Sequence, residues 1–168
     1  MDRYILAVLV KNHFGVLARV ASMFRRRGFN IDTLTVGETE DPEYSRITVT
    51  FTGDDKIKNQ IASQLMKMPD VENVVEHKRG SSVSRELVLI KINNTPETRQ
   101  DIMSVVDVFR AKVIDYAKDV MTIEITGESS KIDAFIDLVR EFGIIEVCRT
   151  GIVSLERGKK NISQYDKD

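Results

Sequence analysis

Apolar positions along the chain follow two alternating periods, and their order predicts the architecture. Arg3 to Val10 read as a strand, with Ile5, Ala7 and Leu9 on one face and Leu6, Val8 and Val10 on the other. A strand apolar on both faces is covered on both. From about Gly15 to Arg27 the period becomes helical, and Leu17, Val20, Ala21 and Phe24 form the buried stripe. Arg25, Arg26 and Arg27 suit the negative end of the helix dipole, and Gly28 suits its cap. A hairpin follows, with arms at about Asn30 to Thr39 and Ser45 to Thr52 around the turn Glu40-Asp41-Pro42-Glu43. Gly53-Asp54 then opens a helix with Ile57, Ile61 and Leu65 inward, and Pro69-Asp70 turns the chain into a strand from Val71 to about Lys78.

The order is βαββαβ, a ferredoxin-like unit. Gly80-Ser81-Ser82 is a small polar linker, and beyond it the pattern restarts. A strand is expected from Arg85 to Ile92, and a helix capped by Thr95 with Pro96 in its first turn. A second hairpin spans Lys112 to Ala117 and Val120 to Thr126. Ser129-Ser130 caps a helix carrying Ile132, Phe135, Ile136 and Val139, and Ile144 to Val153 forms the last strand. Ile47 to Gly53 lines up with Met121 to Gly127, so the halves read as related units. The expected organisation is α+β: two tandem ferredoxin-like domains, residues 1–79 and 80–158, with a polar, frayed tail over 159–168.

Bulk properties narrow the function. The chain has 168 residues, 42% apolar and 30% charged, and a formal net charge of −1. That balance is globular and lacks the cationic excess of a general nucleic-acid binder. No apolar run reaches membrane-spanning length, no targeting segment is visible, and Cys148 has no partner for an internal disulfide. A cytoplasmic location is expected.

Reactive constellations are sparse. The histidines are His13 and His77, far apart in sequence, and Cys148 sits in an apolar strand, where a core position is expected. No metal-ligand spacing, phosphate loop or nucleophile motif occurs. The segment Asn12-His13-Phe14-Gly15-Val16-Leu17 joins the first strand to the first helix. Free N–H groups at a helix start can hold a carboxylate, glycine permits close approach, and Asn12 offers both donor and acceptor. An ordinary strand-to-helix turn would use the same residues.

Asn-x-x-Gly-Val-Leu after a first strand resembles an ACT domain, a module that senses small ligands, commonly amino acids. Arg26 to Val36, Asp41-Pro42 and Ser45 to Thr48 resemble the small regulatory subunits of acetohydroxyacid synthase (AHAS, acetolactate synthase). So do Arg85-Glu86-Leu87, Ile114-Asp115, Lys131 to Phe135 and Arg149-Thr150-Gly151. The resemblance implies a subunit with no active site of its own. It would activate a catalytic subunit carrying thiamine diphosphate, magnesium and FAD, and confer feedback inhibition, usually by valine. It carries effector contacts over to Asn12, Gly15, Val16 and Leu17 in the loop and to Asn30 and Ile31 on the next strand, across an interface between two ACT domains. His13 and Phe14 fall at variable loop positions. The matching junction in the second half, Asn93-Asn94-Thr95-Pro96-Glu97, lacks the glycine and places Glu97 where it would repel a carboxylate. That half is therefore expected to contact the catalytic subunit. A stand-alone ACT regulator of another enzyme or of transcription, and a catalytic ferredoxin-like enzyme, are the alternatives. Gly15→Asp is expected to abolish effector binding by charge repulsion while sparing the turn.

Overall fold

The computed structural model describes residues 2–164, and the chain divides into two compact units. The first holds the described residues up to Val83 together with those from Ile152 to Gln164; the second runs from Ser84 to Gly151.

In the first unit the elements are β1 (Asp2–Lys11), α1 (Val16–Arg27), β2 (Thr33–Glu38), β3 (Tyr44–Gly53), α2 (Asp55–Met66) and β4 (Val71–Glu76). The sheet order is β2-β3-β1-β4, all antiparallel. Leu6, Val8 and Val10 of β1 join Val20 and Phe24 of α1, Ile61 and Leu65 of α2 and Val49 and Phe51 of β3 in one core. Asp54 caps α2 by accepting the Ile57 N–H at 2.8 Å. The second unit repeats the plan with β5 (Ser82–Asn93), α3 (Arg99–Val108), β6 (Lys112–Tyr116), β7 (Val120–Gly127), α4 (Ser129–Val139) and β8 (Ile144–Arg149). Its order, β6-β7-β5-β8, matches the first, and its core gathers Val88, Ile90, Ile92, Ile123, Ile125, Ile132 and Phe135.

Two finer features repeat. In each unit the first strand pairs with the last through a register shift, at Leu9/Val10 and at Lys91/Ile92. In each, the first helix ends in a left-handed residue, Gly28 at φ 69° and Arg110 at φ 54°. The N–H groups of Phe29 and Ala111 close back on the Phe24 and Val106 carbonyls at 3.1 and 2.9 Å. Arg110 thus occupies a conformation that costs an L side chain roughly 1 kcal/mol and that glycine takes freely.

Several boundaries differ from the sequence reading. Asn30 and Ile31 precede β2 rather than lying on it. The helix expected to be capped by Thr95 starts at Arg99, after a turn in which Thr95 Oγ1 accepts the Thr98 N–H at 3.4 Å. Ser129 is the first residue of α4, and Glu128 holds its cap position. Cys148 is exposed rather than buried. It lies on edge strand β8 opposite Leu89, whose neighbours Val88 and Ile90 point into the core, so it faces away from the helices.

The last expected strand, Ile144 to Val153, breaks at Gly151, which turns at φ 83°. Beyond it β9 (Val153–Glu156) and a 3-10 turn (Ile162–Gln164) return to the first unit. Part of the segment read as a frayed tail is therefore structured; residues 165–168 of it lie outside the described residues.

This returning segment meets the face of the first sheet that α1 and α2 leave open. Ile152 and Ser154 are buried. Arg46 Nη2 donates to the Ser154 carbonyl at 2.8 Å, and Asn73 Nδ2 to the Ile162 carbonyl at 2.7 Å. His77 Nδ1 lies 2.7 Å from Ser154 Oγ. The second apolar face of β1 thus gains cover from its own chain. A fragment ending at residue 79 would lose that cover, so its association would not report the native interface.

Burial, and then the neighbouring Arg46 charge, push the His77 pKa below its ordinary value, against a smaller opposing effect of Glu156. The sign follows. The unfolded chain takes up a proton near pH 6.5 while the folded chain resists it, so stability falls as pH drops through that value. Denaturant midpoints at pH 7.5 and 5.5 should separate less in His77→Gln than in the unaltered chain. Equal separation would remove His77 as the cause.

Candidate effector site

The loop after β1 is built by four elements. Asn12 Nδ2 donates to the Pro42 carbonyl at 2.9 Å and to Glu38 Oε2 at 3.1 Å, and its backbone N–H to the Glu43 carbonyl at 2.7 Å. The Asn12 amide hydrogens therefore serve the β2–β3 hairpin, which aims its Oδ1, an acceptor only, at solvent or a ligand. Arg19 Nε and Nη2 reach Asp70 Oδ2 at 2.7 and 2.6 Å, and His13 Nε2 lies 3.3 Å from Asp70 Oδ1. The buried Asp70 so pins the loop and the first turn of α1 to the start of β4.

Gly15 is the N-cap of α1 at φ 85°, with no side chain capping the helix and no acidic residue in its first turn. The first i→i−4 bond is Arg19 to Gly15, at 3.0 Å. The Leu17 and Ala18 N–H groups precede it, so they have no acceptor within the helix. A helix start with open N–H groups and a positive dipole end suits a carboxylate. A side chain at position 15 would be strained by its φ and would meet Arg19 Nη1 at 3.1 Å from its Cβ. Gly15→Asp would therefore weaken the turn and the site together, contrary to the expectation that it spares the turn.

The other expected contacts divide. Val16 is buried, so its side chain serves the core and only its backbone faces the loop. Leu17 is partly exposed and Phe14 fully exposed. Ile31 packs against the core, and Asn30 is exposed. Register separates the two groups within one chain. Thr33 and Ile5 both pair with Thr50, while Glu38 and Val10 both pair with Ser45, so β1 and β2 run the same way. Asn30 lies beyond the Ile5 end and Asn12 beyond the Lys11 end. The strand between them spans about 20 Å at ~3.3 Å per residue.

The second unit's counterpart of Asn12 is occupied structurally. Asn94 is fully buried. Its Nδ2 donates to the Ala117 carbonyl at 3.0 Å, and its Oδ1 accepts from Arg99 Nε at 3.1 Å. Among the described residues no cluster of three or more His, Cys, Asp or Glu side chains is placed to hold a metal ion. No described helix is long and apolar enough to cross a membrane. Glu38, Arg19 and Asp70 hold the loop yet escaped the sequence reading. The i, i+4 spacing of Gly15 and Arg19 placed that arginine one turn above the loop, but Asp70 comes from a distant turn.

Residues 6–73 match a family model described as an AHAS small subunit-like ACT domain, and residues 85–158 one described as the small subunit of acetolactate synthase. The chain belongs to the acetolactate synthase small-subunit family. It is 49% identical to a probable acetolactate synthase small subunit from Archaeoglobus fulgidus, over 94% of this chain and 99% of that one. It is 42% identical to the acetolactate synthase isozyme 3 small subunit of Escherichia coli, over 94% and 98%. The fold agrees with the crystal structure of the acetolactate synthase small subunit from Thermotoga maritima at a TM-score of 0.86 and 40% identity, covering 95% of this chain and 100% of that one. The family implies a large catalytic subunit as partner, and its ACT model falls on the loop of Asn12 and Gly15.

Proposed function

We propose that this chain activates an acetolactate synthase catalytic subunit of branched-chain amino-acid biosynthesis and makes it sensitive to valine, which binds between two ACT units. The observation that carries this reading is the separation of Asn12 from Asn30. One chain cannot close the site, but two can. β2 is an edge strand with Val36 exposed. A twofold axis beside that edge sets the Thr33 end of one β2 against the Glu38 end of the other. Asn30 of one copy then faces the Asn12 loop of its partner. Valine's carboxylate would lie on the Leu17 and Ala18 N–H groups, and its ammonium on Asn12 Oδ1.

The second unit would dock on the catalytic subunit. It exposes Val108, Ile114, Tyr116, Leu138 and Ile145, apolar side chains of the kind that fill interface cores. Thiamine diphosphate, magnesium and FAD would belong to that partner, where the carbon–carbon bond is made. The test is direct. The pure chain should turn over no pyruvate; adding it to the catalytic subunit should raise the rate, and valine should then lower it. Turnover by the chain alone, or no change in the partner's rate, would overturn the proposal.

A further inference from the structure

We infer that the cavity between the first sheet and the returning C-terminal segment binds a zwitterionic aliphatic amino acid, at a second site separate from the loop after β1. The cavity holds about 490 Å³, within the range of small-molecule sites. All its walls come from the first unit.

Arg46 gives the first reason. It lines the cavity and donates a hydrogen bond of 2.8 Å from Nη2 to the Ser154 carbonyl. A guanidinium has five N–H donors, and no carboxylate among the described residues pairs with this one. Burial disfavours its charge, while Glu156 and Glu40 support it from beyond ion-pair range. A partly buried cation of this kind calls for an anion.

The rim decides which anion. Among the described residues, the carboxylates Glu38, Glu40 and Asp41 of the β2–β3 hairpin line the same cavity, with Lys160 as the other cation. Three hairpin carboxylates beside two cations disfavour a phosphate or a dicarboxylate, and give an ammonium group its counter-charge. One carboxylate and one ammonium on a single small molecule satisfy both ends. Leu9, Leu155 and Ile162 supply apolar wall, which suits an aliphatic side chain. Glu38 also accepts from Asn12 Nδ2 at 3.1 Å, so the cavity lies one hydrogen bond from the effector loop.

The experiment is calorimetric titration of the full chain with L-leucine, in the unaltered protein and in Asn12→Ala and Arg46→Gln variants. Asn12→Ala should keep the cavity site, and Arg46→Gln should lose about tenfold or more in affinity there. This holds whether or not valine binds at the loop, because loss of the loop reading alters only Asn12-dependent binding. In the Asn12→Ala background, L-leucinamide and N-acetyl-L-leucine should both bind about tenfold or more weakly than L-leucine, since each lacks one charge. Arg46→Lys keeps the cation and should bind better than Arg46→Gln. If Arg46→Gln fails to fold, the two analogues decide alone. Affinity unchanged in folded Arg46→Gln would overturn the inference. So would leucinamide or N-acetyl-leucine binding as tightly as leucine, or no leucine binding in Asn12→Ala.

Discussion

An Asn12→Ala chain and an Asn30→Ala chain, each unable to bind valine tightly, will recover tight binding when denatured together and refolded. If the site joins Asn12 of one chain to Asn30 of another, a mixed dimer carries one doubly damaged site and one intact site. Random pairing makes half the dimers mixed, so about a quarter of the wild-type number of sites should return. A site contained in one chain returns none on mixing, whatever the ratio. Calorimetry of the refolded mixture with valine counts the tight sites, and a count of zero with both chains folded would sink the shared-site arrangement. The register makes this expectation sharp, because it holds the two asparagines at opposite ends of one sheet.

Arg149→Ala will cost the second unit about 3–5 kcal/mol, a large part of the 5–15 kcal/mol typical of a domain. Arg149 Nε and Nη2 grip the fully buried Glu86 carboxylate at 2.7 and 2.8 Å, and Nη1 and Nη2 lie 3.2 Å from Asp133 Oδ1 on α4. The hydrogen bonds to Glu86 hold the guanidinium pKa well above its ordinary value. Removing the arginine leaves Glu86 buried among β5, β7 and β8 with no counter-charge. The double change Arg149→Met with Glu86→Leu should recover most of the loss, because two apolar groups need no pairing. Urea denaturation of the three proteins checks this. A single variant as stable as the parent would show that Glu86 finds water or another partner.

The periodic parts of the fold were legible from residue pattern because each helix and strand buries one stripe. Leu6, Val8 and Val10 against Val20 and Phe24 are the plain case. The repeat was legible for the same reason, down to the alignment of Ile47–Gly53 with Met121–Gly127. The exposure of Cys148 was not, since a strand's sequence does not say whether it lies at an edge. Nor was the return of residues 152–164, because its contacts depend on single polar groups, Ser154 with His77 and Ile162 with Asn73, that carry no period. For the candidate site, the loop with Gly15 was readable from turn chemistry and from resemblance. Its supports were not, because Arg19 and Asp70 meet across 51 positions. The resemblance carried Asn30 to the same site; the register alone places it at the far end of the sheet.

Because the first unit takes its closing pieces from both sides of the second, a growing chain cannot finish its parts in the order it makes them. At 5–20 residues per second, the roughly 80 residues between Val83 and Ser163 take about 4–16 s to emerge, and throughout that interval the first sheet stands with Leu9 and His77 uncovered. The second unit, continuous from Ser84 to Gly151, is free to complete itself first. A stop introduced between Gly151 and Ile162 would therefore damage the half of the protein that was synthesised earliest.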